Sequence, residues 1–347
     1  MLRWKYSRPL LGVLILILAI GPMLSFGMLK EPGIQQTLAV AFLYGALALT
    51  YDLLFGFTGL LSFGHALFFA SGAYVTAILI DSYKWPWYLA IPTSIALSAI
   101  LAVLVGAASL RTKGITFAMV TLAFGEAGHV VISRNFGNLT NGENGLPINA
   151  DRVPGIFIGV INTKYLFWLA LAILIFVYAA IWWVTQSSAG RVFAALRDNE
   201  VRTSVLGLNP NRYKLLSFVI AGTLASIIGS AMLLVSGNAA PRYATAETTI
   251  ALLLMVILGG SGTRWGAAIG GILYSIASTR LQDLNQGNAL TSLPKIISGP
   301  LSEPAFILGL LFIFIVMFAP GGLSGAYYRI RLRYLQRNAD KTASIPV

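Results

Sequence analysis

Ten stretches of this chain are long and almost purely apolar, at about residues 10–29, 37–54, 60–80, 88–110, 114–133, 164–184, 214–235, 248–261, 266–280 and 304–320. A helix crossing a bilayer needs roughly 20 consecutive apolar residues. The recurrence therefore predicts an all-α polytopic membrane protein with about ten transmembrane helices. Only 10% of the 347 residues are charged, against about 25% in a soluble domain. The windows at 248–261 and 266–280 are short and interrupted by Gly259, Gly260, Gly262 and Gly266. They read as broken or re-entrant helices, which a membrane accepts only where the backbone is buried in protein or lines a cavity. The first window follows Arg3, Lys5 and Arg8 and lacks a small-x-small cleavage site, so it reads as a retained helix and not a signal peptide.

Orientation follows from the positive charges, because cytoplasmic loops keep Lys and Arg. Ten spans with both termini cytoplasmic place 16 of the 24 positives inside and 8 outside. The net charge of +12 is then a topology signal and not a nucleic-acid one. The organisation expected is one transmembrane domain over 1–347. It has a cytoplasmic N-terminus at 1–9, a membrane bundle at 10–320 and a basic cytoplasmic tail at 321–347. An external loop at 133–163 and a cytoplasmic loop at 185–213 are long enough to have a function of their own.

Several chemistries are excluded. The chain has no Cys and only two His, His65 and His129, so disulfides, thiolate metal sites and multi-histidine centres are out. No third ligand accompanies Glu126 and His129 to make a metal site. No G-x-x-x-x-G-K-[ST] run is present, so energy from ATP must enter through a partner. Scattered carboxylates offer no catalytic cluster for an intramembrane enzyme.

In the inner loop, Arg191 to Leu206 reads as an amphipathic helix. Val192, Ala195, Leu196, Asn199 and Thr203 fall on one face, and Arg191, Arg197, Asp198, Glu200 and Arg202 cover the others. Gly207 stops it and Asn209-Pro210 breaks the chain. Such a helix suits docking in a groove of a cytoplasmic protein; lying on lipid headgroups is the alternative. Small residues four apart, at Gly262, Gly266 and Gly270, at Ala221, Ala225 and Gly229, and at Ser62, Ala66 and Ala70, predict close helix packing.

Ionisable groups at membrane depth are costly and therefore informative. Glu126 and His129, three apart, read either as the lining of a polar path or as a pair that satisfies itself between helices. Asp52 and His65 flank the Gly56-Phe57-Thr58-Gly59 break, where a cap or a water contact is expected. Trp85, Trp87, Trp182 and Trp183 are interface anchors.

Six segments carry a resemblance: Tyr51 to Ala66, Thr116 to Glu126, Thr140 to Leu146, Arg191 to Gly207, Val256 to Gly266 and Phe318 to Leu323. Taken in that order, they resemble the permease subunits of bacterial ABC importers for branched-chain amino acids, the Liv-type family that also includes urea permeases. The resemblance implies a multi-pass protein of the bacterial inner membrane, working by alternating access. The partners it implies are a second homologous permease subunit, two ATPase subunits and an extracytoplasmic solute-binding protein, with membrane lipid around and no nucleic acid. ATP and Mg belong to the ATPases, and no cofactor is expected on this chain. The family's coupling helix maps onto Gly190, Arg191, Ala195, Arg197, Asn199, Glu200, Leu206 and Gly207, with Thr203-Ser204 departing from the usual small pair. The implied substrate path is Gly59, Gly64, His65, Thr121, Glu126, His129, Gly259 and Gly260. The stretch Thr140 to Leu146 departs from the Thr-Gly-Gly type common among branched-chain amino acid permeases. Urea or a small hydrophobic or aromatic acid therefore stands beside branched-chain amino acids as substrate. A stand-alone secondary transporter or channel is the more distant reading.

Overall fold

A computed structural model describes residues 31–148, 150–157, 162–286, 304–318 and 321–329. The window at 10–29 and the tail beyond residue 329 lie outside them. The other nine windows each contain a helix. In chain order these are α1 (Pro32–Asp52), α2 (His65–Asp81), α3 (Trp87–Ser109), α4 (Ile115–Ser133) and α5 (Thr163–Gln186). The inner loop adds α6 (Ser188–Asp198) and α7 (Glu200–Val205). Then come α8 (Pro210–Ser236), α9 (Ala246–Gly259), α10 (Arg264–Gln286) and α11 (Pro304–Phe318).

Among the described residues five helices are long and apolar enough to cross a membrane: α1 with its extension to Thr58, α3, α4, α5 and α8. α2 and α9 are apolar but shorter, at 17 and 14 residues. At 1.5 Å per residue α9 reaches about 21 Å, short of the ~30 Å of a bilayer core. The chain is thus a mainly helical, multi-pass protein.

Burial sorts the spans into a centre and a rim. About 78% of the best window is buried in α1 and α8, but only 28–33% in α3, α4 and α5. Rim helices that stay apolar on their exposed faces, as at Leu97, Ile100 and Leu104 of α3, present those faces to lipid or to a partner. At the centre, missing side chains let backbones meet. A Cβ on Gly45 of α1 would lie 2.9 Å from the Ala268 carbonyl of α10, and one on Gly229 of α8 would run into the Phe69 carbonyl of α2. Gly266 and Gly270 of α10 lie likewise against Gly259 and Met255 of α9. Ala221 and Ala225 are fully buried in the same seam of α8 as Gly229.

The connections gather at two ends of the bundle. At one end Leu146–Pro147 pairs antiparallel with Asn238–Ala239. Thr140 ties the outer loop to α4 through its Oγ1, which donates to the Ile132 carbonyl at 2.7 Å. The Asn135 Oδ1 accepts the backbone N–H groups of Thr140 and Asn141, both at 3.0 Å. The turn-rich stretch Thr140 to Leu146 is thus an ordered connector. At the other end lie the α1–α2 break, the α3–α4 corner, α6, α7 and the α9–α10 corner.

The single helix expected over Arg191 to Leu206 is two. Asn199 is extended (φ −162°, ψ 107°), and its Oδ1 accepts the Arg202 N–H at 2.8 Å. An Asn side chain competes with the helix for backbone donors and is a favoured N-cap, so it ends α6 and starts α7. The buried face also differs: Phe193, Leu196 and Thr203 are buried, whereas Ala195 and Asn199 are exposed.

Candidate functional site

The α1 helix does not end cleanly. Over Leu53–Thr58 it widens into a π-turn closed by Gly59 at φ +76°. The Thr58 hydroxyl donates to the Leu53 carbonyl at 2.8 Å, and the Leu60 N–H to the Leu54 carbonyl at 2.8 Å. Carbonyls at a helix C-terminus lack intrahelical partners and attract cations. Arg197 of α6 fills that role, its Nη1 donating to the Gly56 carbonyl. A Cβ at Gly59 would lie 3.3 Å from the Arg197 Cα, so α6 sits directly on the break.

One turn earlier on α1, Asp52 is fully buried. Its Oδ1 accepts the Gly262 N–H at 2.7 Å. This is the cap expected for Asp52, spent on the α9–α10 corner just before α10 begins. The second oxygen, Oδ2, is buried with no hydrogen-bond partner. Gly262 stands at φ +75°, and its place between Gly56 and Arg197 leaves no room for a side chain. Three chain segments from distant parts of the sequence thus interlock at the inner end.

The rest of the inner loop is anchored nearby. Ser187 caps α6 by accepting the Gly190 N–H at 3.3 Å, and Glu200 pairs with Lys214 of α8 at 2.7 Å. Arg264 donates to the Thr185 hydroxyl at 3.0 Å. Gly207 turns the chain at φ +83°. A cleft of about 410 Å³ opens beside α6, with Lys113, Arg197, Glu200 and Lys214 among its walls. Arg191 is exposed, and so are the apolar Val201, Val205 and Leu206 at 72%, 81% and 74%.

A second polar zone lies deeper in the bundle. Gly64, which precedes α2, abuts the Thr121 carbonyl of α4, and the Phe63 N–H donates to Thr121 Oγ1 at 3.1 Å. Thr121 is six residues into α4, so α2 starts about 9 Å from that helix's inner end. The N-terminus of α9 lies deeper still: the Ala246 N–H donates to Glu126 Oε1 at 3.2 Å, about 16 Å along α4. The Ala66 N–H donates to Thr249 Oγ1 at 3.1 Å, tying the start of α2 to α9. Two helix N-termini therefore meet inside the bundle.

His65 is fully buried, with Nε2 2.9 Å from the Thr50 hydroxyl. That hydroxyl already donates to the Leu47 carbonyl at 2.7 Å. His65 Nε2 must then carry the proton and donate. Glu126 and His129 do not bond to each other. Glu126 turns to α9, and His129 Nε2 lies 3.5 Å from the Ser133 hydroxyl, one turn on. A spacing of three puts two side chains on one face, but α9 offers Glu126 a stronger, dipole-assisted donor.

The residues expected along a substrate path fall into separate places. Gly59, Gly259 and Gly260 lie at the inner junction, with Gly260 packed on Ser324. Gly64, His65 and Thr121 are buried between helices. Glu126 and His129 are half-buried. Sequence reasoning missed the roles of Thr249 and Gly56, whose partners lie 183 and 141 residues away, and of Thr50, which meets His65 across the α1–α2 break. The one signal for the Asp52 contact was an unpaired carboxylate at membrane depth.

Comparison with known proteins places this architecture. Residues 33–319 match the family described as branched-chain amino acid transport system, permease component. The chain is 26% identical over 306 residues to the high-affinity branched-chain amino acid transport system permease protein LivM of Escherichia coli K12, covering 82% of this chain and 71% of that one. It is 25% identical over 315 residues to a probable branched-chain amino acid transport permease protein LivM of Methanocaldococcus jannaschii, covering 81% and 90%. A chain in the solved structure of PsaBC from Streptococcus pneumoniae with Fab overlaps 90% of this one and 98% of its own length. The TM-score is 0.43 and the identity 13%, too loose an overlap to compare helix by helix.

Proposed function

This chain belongs to the family of branched-chain amino acid transport system permease components, and from that membership we propose that it is the membrane subunit of an ATP-driven importer of branched-chain amino acids in the bacterial inner membrane. The match over residues 33–319 is the observation that carries the reading. Both termini are cytoplasmic in this reading, on the side with 16 of the 24 positive charges. A second homologous permease subunit completes the pore, two ATPase subunits hold ATP and Mg, and an extracytoplasmic binding protein delivers solute.

The loop at 185–213 is the ATPase contact in this proposal. Its exposed Val201, Val205 and Leu206 on α7 supply an apolar face that a soluble partner would cover. Gly190, Arg191, Ala195, Arg197, Asn199, Glu200, Leu206 and Gly207 hold or present that face. ATP binds the two states of the assembly differently, and that difference shifts the equilibrium between inward and outward opening. Glu126, His129 and the half-buried start of α9 form the polar part of the solute path. Half-helix N-termini at mid-depth suit a carboxylate, and the Glu126 carboxylate suits an ammonium.

The test is uptake by the chain co-reconstituted with its partners in proteoliposomes. Labelled leucine, isoleucine or valine should accumulate only with ATP and binding protein. Uptake by the chain alone without ATP would make it a secondary transporter, and uptake of urea in place of the amino acids would overturn the substrate.

A further inference from the structure

The two polar zones are the two ends of one helix. The inner end of α9 runs into the corner at Gly260 and Gly262, where Asp52 holds the Gly262 N–H at 2.7 Å and Arg197 reaches across to the Gly56 carbonyl. The outer end begins at Ala246, whose N–H is held by Glu126 of α4 at 3.2 Å. Between them are 14 residues of unbroken helix. Resting on the importer reading, we propose that α9 is a lever. Its fulcrum is the Asp52–Gly262–Gly56–Arg197 junction, and its working end is the releasable Glu126–Ala246 contact.

The asymmetry of the two ends supports this assignment. At the fulcrum several contacts converge, half-buried, and backbones touch where Gly259 meets Gly266 and Gly56 meets Gly262. Asp52 keeps a second buried oxygen with no hydrogen-bond partner. Such an oxygen is costly; Gly262, held by Asp52, packs against both the Arg197 guanidinium and the Gly56 carbonyl that Arg197 caps, so the Arg197 position and the corner are coupled. Arg197 belongs to α6, the helix lying between α5 and the exposed α7. Motion imposed on α6 therefore reaches the corner through one side chain. At the working end the ties are single polar contacts: Ala246 has one side-chain acceptor, Thr249 one turn on takes the Ala66 N–H at 3.1 Å, and Glu247 between them is exposed. A tilt of about 15° about the inner end of a ~21 Å helix displaces Ala246 by about 5 Å. That distance breaks the bond to Glu126 and changes access to the path beside it.

Asp52 and Arg197 are positioning residues here, acting through α9. The chain has no Cys, so Glu247→Cys provides a single reporter beside the working end. The full assembly is reconstituted with the partners' thiols blocked beforehand, and the rate of labelling by a water-soluble maleimide is followed with and without ATP and vanadate. With Asp52 and Arg197 intact the rate should change by about fivefold or more on ATP binding. Asp52→Asn keeps an oxygen for the Gly262 N–H but removes the charge facing Arg197. In that background, ATP hydrolysis should continue while the labelling rate stays at its ATP-free value and solute moved per ATP falls. Arg197→Gln gives the same readout from the other side, should Asp52→Asn fail to assemble. The lever is overturned if both variants retain the full ATP-dependent change. It is also overturned if Glu247→Cys alone transports solute with an unresponsive labelling rate. ATP-responsive labelling in an assembly that moves no branched-chain amino acid would instead remove the substrate reading and leave the lever standing.

Discussion

The two ends of α9 hold their neighbours in opposite ways. At the inner end, Gly259 lies against Gly266, Asp52 accepts from Gly262, and Arg197 caps Gly56, all within one interlocked corner. At the other end the ties are single polar contacts: Glu126 holds the first N–H of the helix, and one turn further in Thr249 takes the Ala66 N–H. Close backbone packing admits almost no displacement, whereas one charge-assisted hydrogen bond is made and broken at small cost. A membrane helix that must move needs both kinds of end.

Substitutions test that contrast in a graded series. Gly259→Val should do most damage, because its side chain meets the Gly266 carbonyl. Overpacking against backbone costs roughly 3 kcal/mol or more, read as a lower thermal midpoint of the detergent-purified protein. Asp52→Ala removes the side-chain acceptor of the half-buried Gly262 N–H. It should cost about 2 kcal/mol, and a midpoint equal to that of the unaltered chain would show the corner to be held by packing alone. Glu126→Gln keeps an oxygen for the Ala246 N–H and loses only the charge facing the α9 N-terminus. Its stability cost should stay under about 1 kcal/mol, while the KM for leucine uptake rises; a large loss of stability would make the two ends alike. The smallest effect belongs to Lys214→Ala, which breaks the partly exposed pair with Glu200. It should cost about 0.5 kcal/mol, and the difference should shrink at high salt.

Much of the architecture was legible before any coordinates. Apolar windows found nine helices among the described residues, because burial in lipid demands length and apolarity whatever the neighbours are. Small residues at a spacing of four include Gly266 and Gly270 of the α9–α10 seam and Gly229 of the α2–α8 seam, while Gly262 of the same series sits in the corner against Gly56 and Arg197. Asn209-Pro210 was legible as a break, and the structure makes it also the start of α8, where the Asn209 side chain accepts the Asn211 N–H at 3.1 Å. The inner loop was legible as helical and amphipathic, but the break at Asn199 was not. A periodic pattern sums over a window, whereas an N-cap depends on one side chain choosing a backbone donor two or three residues away. Placing Glu126 with His129 failed for a related reason: spacing along a helix gives the face and not the partner on the next helix.

Composition and periodicity by themselves determined that this is a helical membrane protein and where its apolar helices lie among the described residues. They do so because each depends on the chain's local exchange between water and lipid. Tertiary structure alone decided that Asp52 serves Gly262, 210 residues later, that Arg197 closes the end of α1, and that α9 starts against Glu126. Those contacts depend on the depth and rotation of several packed helices at once. Every helix satisfies its own backbone, so no local rule fixes which orphan group at one broken end will meet which at another.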